Sequence, residues 1–337
     1  MHRCPLIRPS ATFSFRPQRV LREKGQAEEQ FYSHFRITAE YGVQAMAVTT
    51  ETHQPAAART TAGSELYVFP FTSDDFHRIR SLIYRVAGIS LAPSKKDLVY
   101  SRLARRLRVR QIDSFIAYIR LLESGDLQER EEFVNALTTN MTSFFREAHH
   151  FPILAKHLGT LQTTKPISIW TCASSSGEEP YSIAMTVVEH FKTFNAPVRI
   201  LATDIDTNVL EKARRGVYPL DQLNKLSPDQ LKRYFLKGEG RNAGLARVKP
   251  ELQQLISFRR FNLLDEQWGI REKFDVIFCR NVMIYFDKQT QYSILKKMQP
   301  CLQPHGLFFA GHSESFHHAA DLFKVCGKTV YAPKQLN

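Results

Sequence analysis

The chain lacks any apolar run approaching the ~18 residues that would suggest a membrane span, so stable membrane insertion is not expected. It also lacks clustered cysteine: Cys4, Cys172, Cys279, Cys301 and Cys326 are dispersed, odd in number and without C-x-x-C spacing. That usage predicts a reducing, cytoplasmic setting with neither disulfides nor a metal site. Acid is the scarcer charge, 33 Asp and Glu against 46 Lys and Arg, for a net +13 over 337 residues. Such an excess favours an acidic partner: a nucleic acid, an anionic membrane face or an acidic protein surface.

Glycine is missing where a phosphate-gripping turn would need it. The stretch P-I-S-I-W-T-C-A-S-S-S-G-E-E-P, Pro166 to Pro180, reads as a buried strand, a small-residue loop and a helix opened by proline. Ligand crevices in open α/β sheets lie outside such strand ends. Yet the loop holds only Gly177, followed by Glu178 and Glu179, in place of the G-x-G-x-x-G that lets several N–H groups approach a pyrophosphate. Carboxylates there would repel phosphate, and they imply a nucleoside-like, cationic, phosphate-free ligand, properties that S-adenosylmethionine has. The same two acids would also serve simply to stabilise their helix start.

Residues 1–70 lack hydrophobic periodicity and read as a disordered extension, with Met46 a plausible alternative start. From Phe71 to Thr138 the pattern is helical, a small domain that begins with Ser73 as cap and Gly88 as stop. In its second helix Lys95, Arg102 and Arg106 form one stripe, read either as a solvated face or as the docking surface for an acidic macromolecule. The linker 139–152, T-N-M-T-S-F-F-R-E-A-H-H-F-P, is dense in hydrogen-bonding side chains and is expected to place Arg146 over the crevice. A domain over 153–337 then alternates strands and helices, which predicts a doubly wound, mostly parallel α/β sheet with scope for an antiparallel edge near the C-terminus. Asp204 ends the second strand, where this fold places a ribose acceptor. The pattern breaks over about 216–255, read as an inserted antiparallel hairpin punctuated by Gly238, Gly240 and Gly244.

In order, N-x-T-x-F-F-R-E, G-E-E-P-Y-S, A-T-D-I-D, N-L-L, F-C-R-N-V-M-I-Y-F and A-G-H-S-E closely resemble the CheR family of chemotaxis receptor methyltransferases over residues 70–335. The resemblance implies S-adenosylmethionine-dependent methylation of glutamate side chains on chemoreceptor cytoplasmic helices by a cytoplasmic monomer. It further implies cofactor contacts at Asn140, Thr142, Arg146, Glu179, Asp204, Asn262, Leu263, Arg280 and Asn281, with Arg146 and Tyr285 nearest the transferred methyl. It also implies that the insertion grips a receptor C-terminal peptide tether through Gly238, Gly240, Gly244 and Arg247. Nucleic-acid methylation is the competing enzymatic reading. It is disfavoured by N-V-M-I-Y after the fourth strand, where base-amino methylating enzymes carry an N/D-P-P-Y/F-type loop. A non-catalytic receptor-binding adaptor is the third reading.

Overall fold

The computed structural model describes residues 69–161 and 165–334. The expected extension over 1–70, with Met46, lies outside the described residues apart from Phe69 and Pro70.

Helices α1 (Ser73–Ala87), α2 (Lys96–Arg110), α3 (Phe115–Ser124) and α4 (Leu127–Leu137) form the N-terminal segment around their own core, which includes Ile79, Val99, Leu103, Tyr118 and Phe133. The first cap is Thr72 rather than Ser73: its side chain accepts from Asp75 N while the Asp75 carboxylate accepts from Thr72 N, a reciprocal capping box. Gly88 ends α1 at φ 67°, as expected. After the linker and α5 (His150–Leu158), the chain builds β1 (Ile167–Cys172), α6 (Glu178–Phe191), β2 (Val198–Asp204) and α7 (Thr207–Arg215).

The insertion holds β3 (Val217–Pro219), α8 (Pro228–Tyr234), β4 (Phe235–Lys237), β5 (Leu245–Val248) and the short α9 (Pro250–Gln253). The expected inserted antiparallel β-subdomain is a sheet of three strands in the order β3-β5-β4. The main chain resumes with β6 (Ile256–Arg260), β7 (Phe274–Cys279), α10 (Lys288–Met298), β8 (Leu302–Ala310), β9 (Phe323–Gly327) and β10 (Val330–Pro333).

The 7-stranded sheet runs β6-β2-β1-β7-β8-β10-β9, parallel except where β10 pairs antiparallel with both β8 and β9. Strand β1 sits centrally and alternates its side chains: Ile167 and Ile169 join the core on one face, Trp170 and Cys172 the core on the other. Covering both faces makes these strands continuous apolar runs, which is why they were readable in the sequence. Because the chain leaves β1 toward β2 on one side and later returns to β7 on the other, the strand order reverses at β1, the place where such sheets open a crevice.

Candidate active site

The carboxyl ends of β6, β2, β1 and β7 surround a cavity of about 410 Å³, within the size range of sites that enclose a cofactor. Its floor is the loop after β1. Ala173 and Ser175 have φ of 57° and 50° and Gly177 one of 101°, so the chain turns tightly enough to start α6 directly at Glu178. A Cβ on Gly177 would lie 2.8 Å from the Tyr218 hydroxyl and 2.9 Å from Ala213 Cβ, so glycine is required there by proximity as well as by φ.

The expected cofactor residues all line this cavity: Asn140, Thr142 and Arg146 from the linker; Glu179 and Asp204 from the β1 and β2 ends; Asn262, Leu263, Arg280 and Asn281 from the ends of β6 and β7. Tyr285 joins them, its hydroxyl 3.4 Å from the Thr139 carbonyl. The linker thus contributes to the lining, and Arg146 is anchored by donating to Met141 O at 2.8 Å.

Arg280 is the electrostatic centre, with its side chain fully buried. Nη1 donates to Glu179 Oε2 at 2.9 Å, and Nη2 donates to the Arg146 carbonyl and lies 3.3 Å from Glu147 Oε2. Glu179 Oε1 also accepts from Thr171 Oγ1 at 2.6 Å. Burial pushes the Glu179 carboxyl up, opposed by Arg280 and Thr171. Burial also pushes Glu147 up, but Arg280, the Asn281 amide and His312 outweigh it and hold that carboxyl at about 2. Asp204 is raised to about 6 by burial, offset in part by N–H bonds from Asp206 and Ser175. Its two oxygens accept from Ser175 N at 2.8 Å and Asp206 N at 2.9 Å.

Two carboxylates therefore flank one buried guanidinium, with a third, Asp204, at the neighbouring strand end. That local excess of negative charge suits a cationic ligand with hydroxyls to donate. The buried Arg280 Nε has no hydrogen-bond partner. These residues fit S-adenosylmethionine: Glu179 and Asp204 are acids lining the cavity that suit its ammonium and ribose hydroxyls.

The remaining expectations fare differently. Lys95 lines the cavity. The docking stripe it was to form with Arg102 and Arg106 is corrected, because the latter two are committed internally. Arg102 Nη1 donates to Thr138 O at 2.6 Å and Leu137 O at 3.1 Å, capping the end of α4. Arg106 forms a fork with Glu129 at 3.0 and 2.7 Å and reaches Glu132 at 3.1 Å. Gly238, Gly240 and Gly244 lie in the β4–β5 connection and Arg247 on β5, none of them lining the cavity.

Other residues escaped the sequence reading. Ala87, Ile89, Leu91 and Leu98 form an apolar wall contributed by the helical segment, signalled only by ordinary helix and loop residues. Glu147 and Glu314 brace the β7 end, and an acid beside Arg146 and another in A-G-H-S-E were the available hints. Glu147, His149 and His150 also bring three potential ligand atoms within 4.8 Å of one another. Arg280 already supplies positive charge at 3.3 Å from Glu147, however, and burial together with Arg280 and His149 lowers His150 to about 3. The cluster is better suited to seating that arginine than to holding a cation.

Among known families, the model described as "CheR methyltransferase, SAM binding domain" matches residues 140–332, and "CheR methyltransferase, all-alpha domain" matches 74–138. Chemotaxis protein methyltransferase 2 of Pseudomonas aeruginosa is 54% identical over 266 residues, covering 79% of this chain and 95% of that protein. The chemotaxis protein methyltransferase of Salmonella typhimurium is 51% identical over 258 residues, with 76% and 89% covered. That of Borreliella burgdorferi is 39% identical over 255 residues, with 72% and 89% covered.

Proposed function

The chain belongs to the CheR methyltransferase family, and from that premise we propose that it esterifies glutamate side chains on the cytoplasmic helices of chemoreceptors, working in the cytoplasm. The observation that carries this reading is the convergence of linker, β1, β2 and β7 residues on one acid-lined cavity capped by Arg146.

S-adenosylmethionine, when bound, supplies a methyl group on a sulfonium, activated for in-line displacement. On this reading Glu179, seated by Arg280 and Thr171, receives the ammonium end, and Asp204, fixed by two backbone N–H groups, receives the ribose hydroxyls. A glutamate acceptor, with an ordinary pKa of about 4.3, is already ionised at neutral pH, so no general base is needed. The protein's task is alignment and exclusion of water. Arg146 holds the acceptor carboxylate at the mouth through its guanidinium fork. Tyr285, whose hydroxyl lies 3.4 Å from the Thr139 carbonyl, sets that hydroxyl at the methyl end.

The insertion supports a second receptor contact, to a C-terminal peptide tether. On its outer surface Arg247 stands in register between Val217 and Leu236, both of them exposed. That gives a cation flanked by apolar side chains, beside the turn that carries Gly238, Gly240 and Gly244.

The test is incubation with methyl-labelled cofactor and receptor, RNA or no acceptor. Base-labile label on receptor glutamates is expected. Label on RNA, or cofactor binding without transfer, would overturn the proposal.

A further inference from the structure

The turn Gly311–Glu314 follows β8 and does not line the cavity, yet it holds the wall that does. Glu314 is buried, and its carboxylate gathers four backbone N–H groups: Gly311 at 2.5 Å and Asn281 at 3.0 Å on Oε2, Val282 at 2.9 Å and Met283 at 2.8 Å on Oε1. Three of these donors are consecutive residues of the segment running from Arg280 to Tyr285. Carbonyls of this segment and of the next residue are held as well: Gln291 Nε2 donates to Met283 O and Phe286 O at 2.8 and 3.0 Å.

The held conformation is one the chain would not choose unaided. Asn281 has φ 59°, in the left-handed region that non-glycine residues rarely adopt. Its side chain is aimed by that backbone: Nδ2 donates to Glu147 Oε1 at 3.1 Å, tying Asn281 to the carboxylate that also faces Arg280. Gly311 permits the close approach, because a Cβ there would meet Asn281 Nδ2 at 2.6 Å, Asn281 N at 2.8 Å and Glu314 Oε2 at 2.8 Å.

We propose that Glu314 is a positioning residue for methyl transfer: its carboxylate acts as a four-point clamp that fixes the Arg280–Tyr285 wall, setting Asn281 toward the cofactor and Tyr285 toward the methyl end. It acts through those residues and touches neither reactant. The inference rests on the reading of the cavity as the methyl-transfer site, and methylation by the wild-type protein tests that reading separately.

Glu314→Gln replaces one acceptor oxygen with a donor amine that opposes the N–H groups facing it. The expected result is a folded protein in which backbone amide exchange of a peptide covering 280–286 accelerates at least about tenfold while the core strands stay protected. S-adenosylmethionine binding by calorimetry weakens several-fold, and turnover at saturating cofactor falls at least about tenfold, the scale of losing a charge-assisted hydrogen bond. Glu314→Asp, which keeps the charge but shortens the reach, recovers part of both losses. Gly311→Ala attacks the same contact from the other side and reproduces the faster exchange, which keeps the test decisive if Glu314→Gln fails to fold. The proposal is overturned if Glu314→Gln is folded and saturated yet transfers methyl at the wild-type rate. It is equally overturned if 280–286 stays protected in the variants that fold.

Discussion

Two arginines, Arg106 partly buried and Arg280 fully buried, invite comparison. Arg106, in the helical segment, forks onto Glu129 and reaches Glu132, while Arg280, at the β7 end, sits between Glu179 and Glu147. Each is a guanidinium between two carboxylates, at least one of them largely buried. In the first, Glu129 accepts further from the Tyr118 hydroxyl and faces closed helical core. In the second, Glu179 and the arginine border the cavity, and Arg280 keeps an unmatched Nε. The chemistry is the same; what separates a staple from a binding site is whether the neighbouring volume is filled.

The most direct way to break the comparison is to remove each arginine. Arg280→Met leaves two acids without their counter-ion at the cofactor site, and methylation should fall by more than about a hundredfold with weakened cofactor binding. Arg106→Met should cost about 3 kcal/mol, lowering the melting temperature by roughly 6–12 °C, with cofactor affinity by calorimetry unchanged. Equal losses of affinity in the two variants would erase the distinction.

Arg146→Ala sharpens it, since this arginine is half-buried and held by one carbonyl. Turnover should drop by roughly ten- to a hundredfold with little change in melting temperature, and near-normal methylation would remove its assigned role.

Acid gives a smaller effect. Asp204 is raised by burial to about 6, so it is ionised above that pH and gains its proton as pH falls through it. Cofactor affinity should be level above pH 6 and decline below it by at most about tenfold per unit, and Asp204→Asn should remove that portion of the slope. The effect on folding has the opposite sign: a carboxyl raised above its ordinary 3.8 costs stability as pH rises from 3.8 to about 6.

Salt should have the least effect. With Arg102 and Arg106 committed internally, exposed cations such as Lys95, Arg105 and Arg108 carry any steering of an acidic receptor. Methylation rates should fall only a few-fold between low and moderate ionic strength.

These contrasts also show what could be read in advance. Strands β1, β2 and β7 were legible as apolar runs bounded by turn residues, and Glu179 and Asp204 as acids at strand ends, whereas Asn140, Thr142, Asn262, Leu263, Arg280 and Asn281 were singled out only by the family resemblance. Strand β9 was missed because F-K-V-C-G is short, with Lys324, Val325 and Cys326 exposed at the sheet edge. Three-residue strands such as V-Y-P and F-L-K acquire their identity only by pairing with β5. The partners of Arg102 lie 35 and 36 residues ahead and Glu129 lies 23 beyond Arg106, and helical periodicity carries no information across such spans. The cap at Thr72 differs: the acid three residues on was visible, and a Thr-Ser pair simply offered two candidates.

Hydrogen bonds stitch the helical segment to the strands and loops around the cavity, among them Ser90 N to Tyr285 O at 2.9 Å, Asn262 Nδ2 to Val86 O at 2.9 Å, Tyr84 Oη to Asp287 Oδ2 at 2.5 Å and Thr138 Oγ1 to Asp206 Oδ2 at 2.7 Å. A chimaera made by transplanting that whole segment from a relative would import part of the cofactor's enclosure along with whatever outer face was wanted. Retargeting the enzyme without disturbing its appetite for cofactor therefore calls for a graft that keeps the host's own residues 84–98 together with 137 and 138.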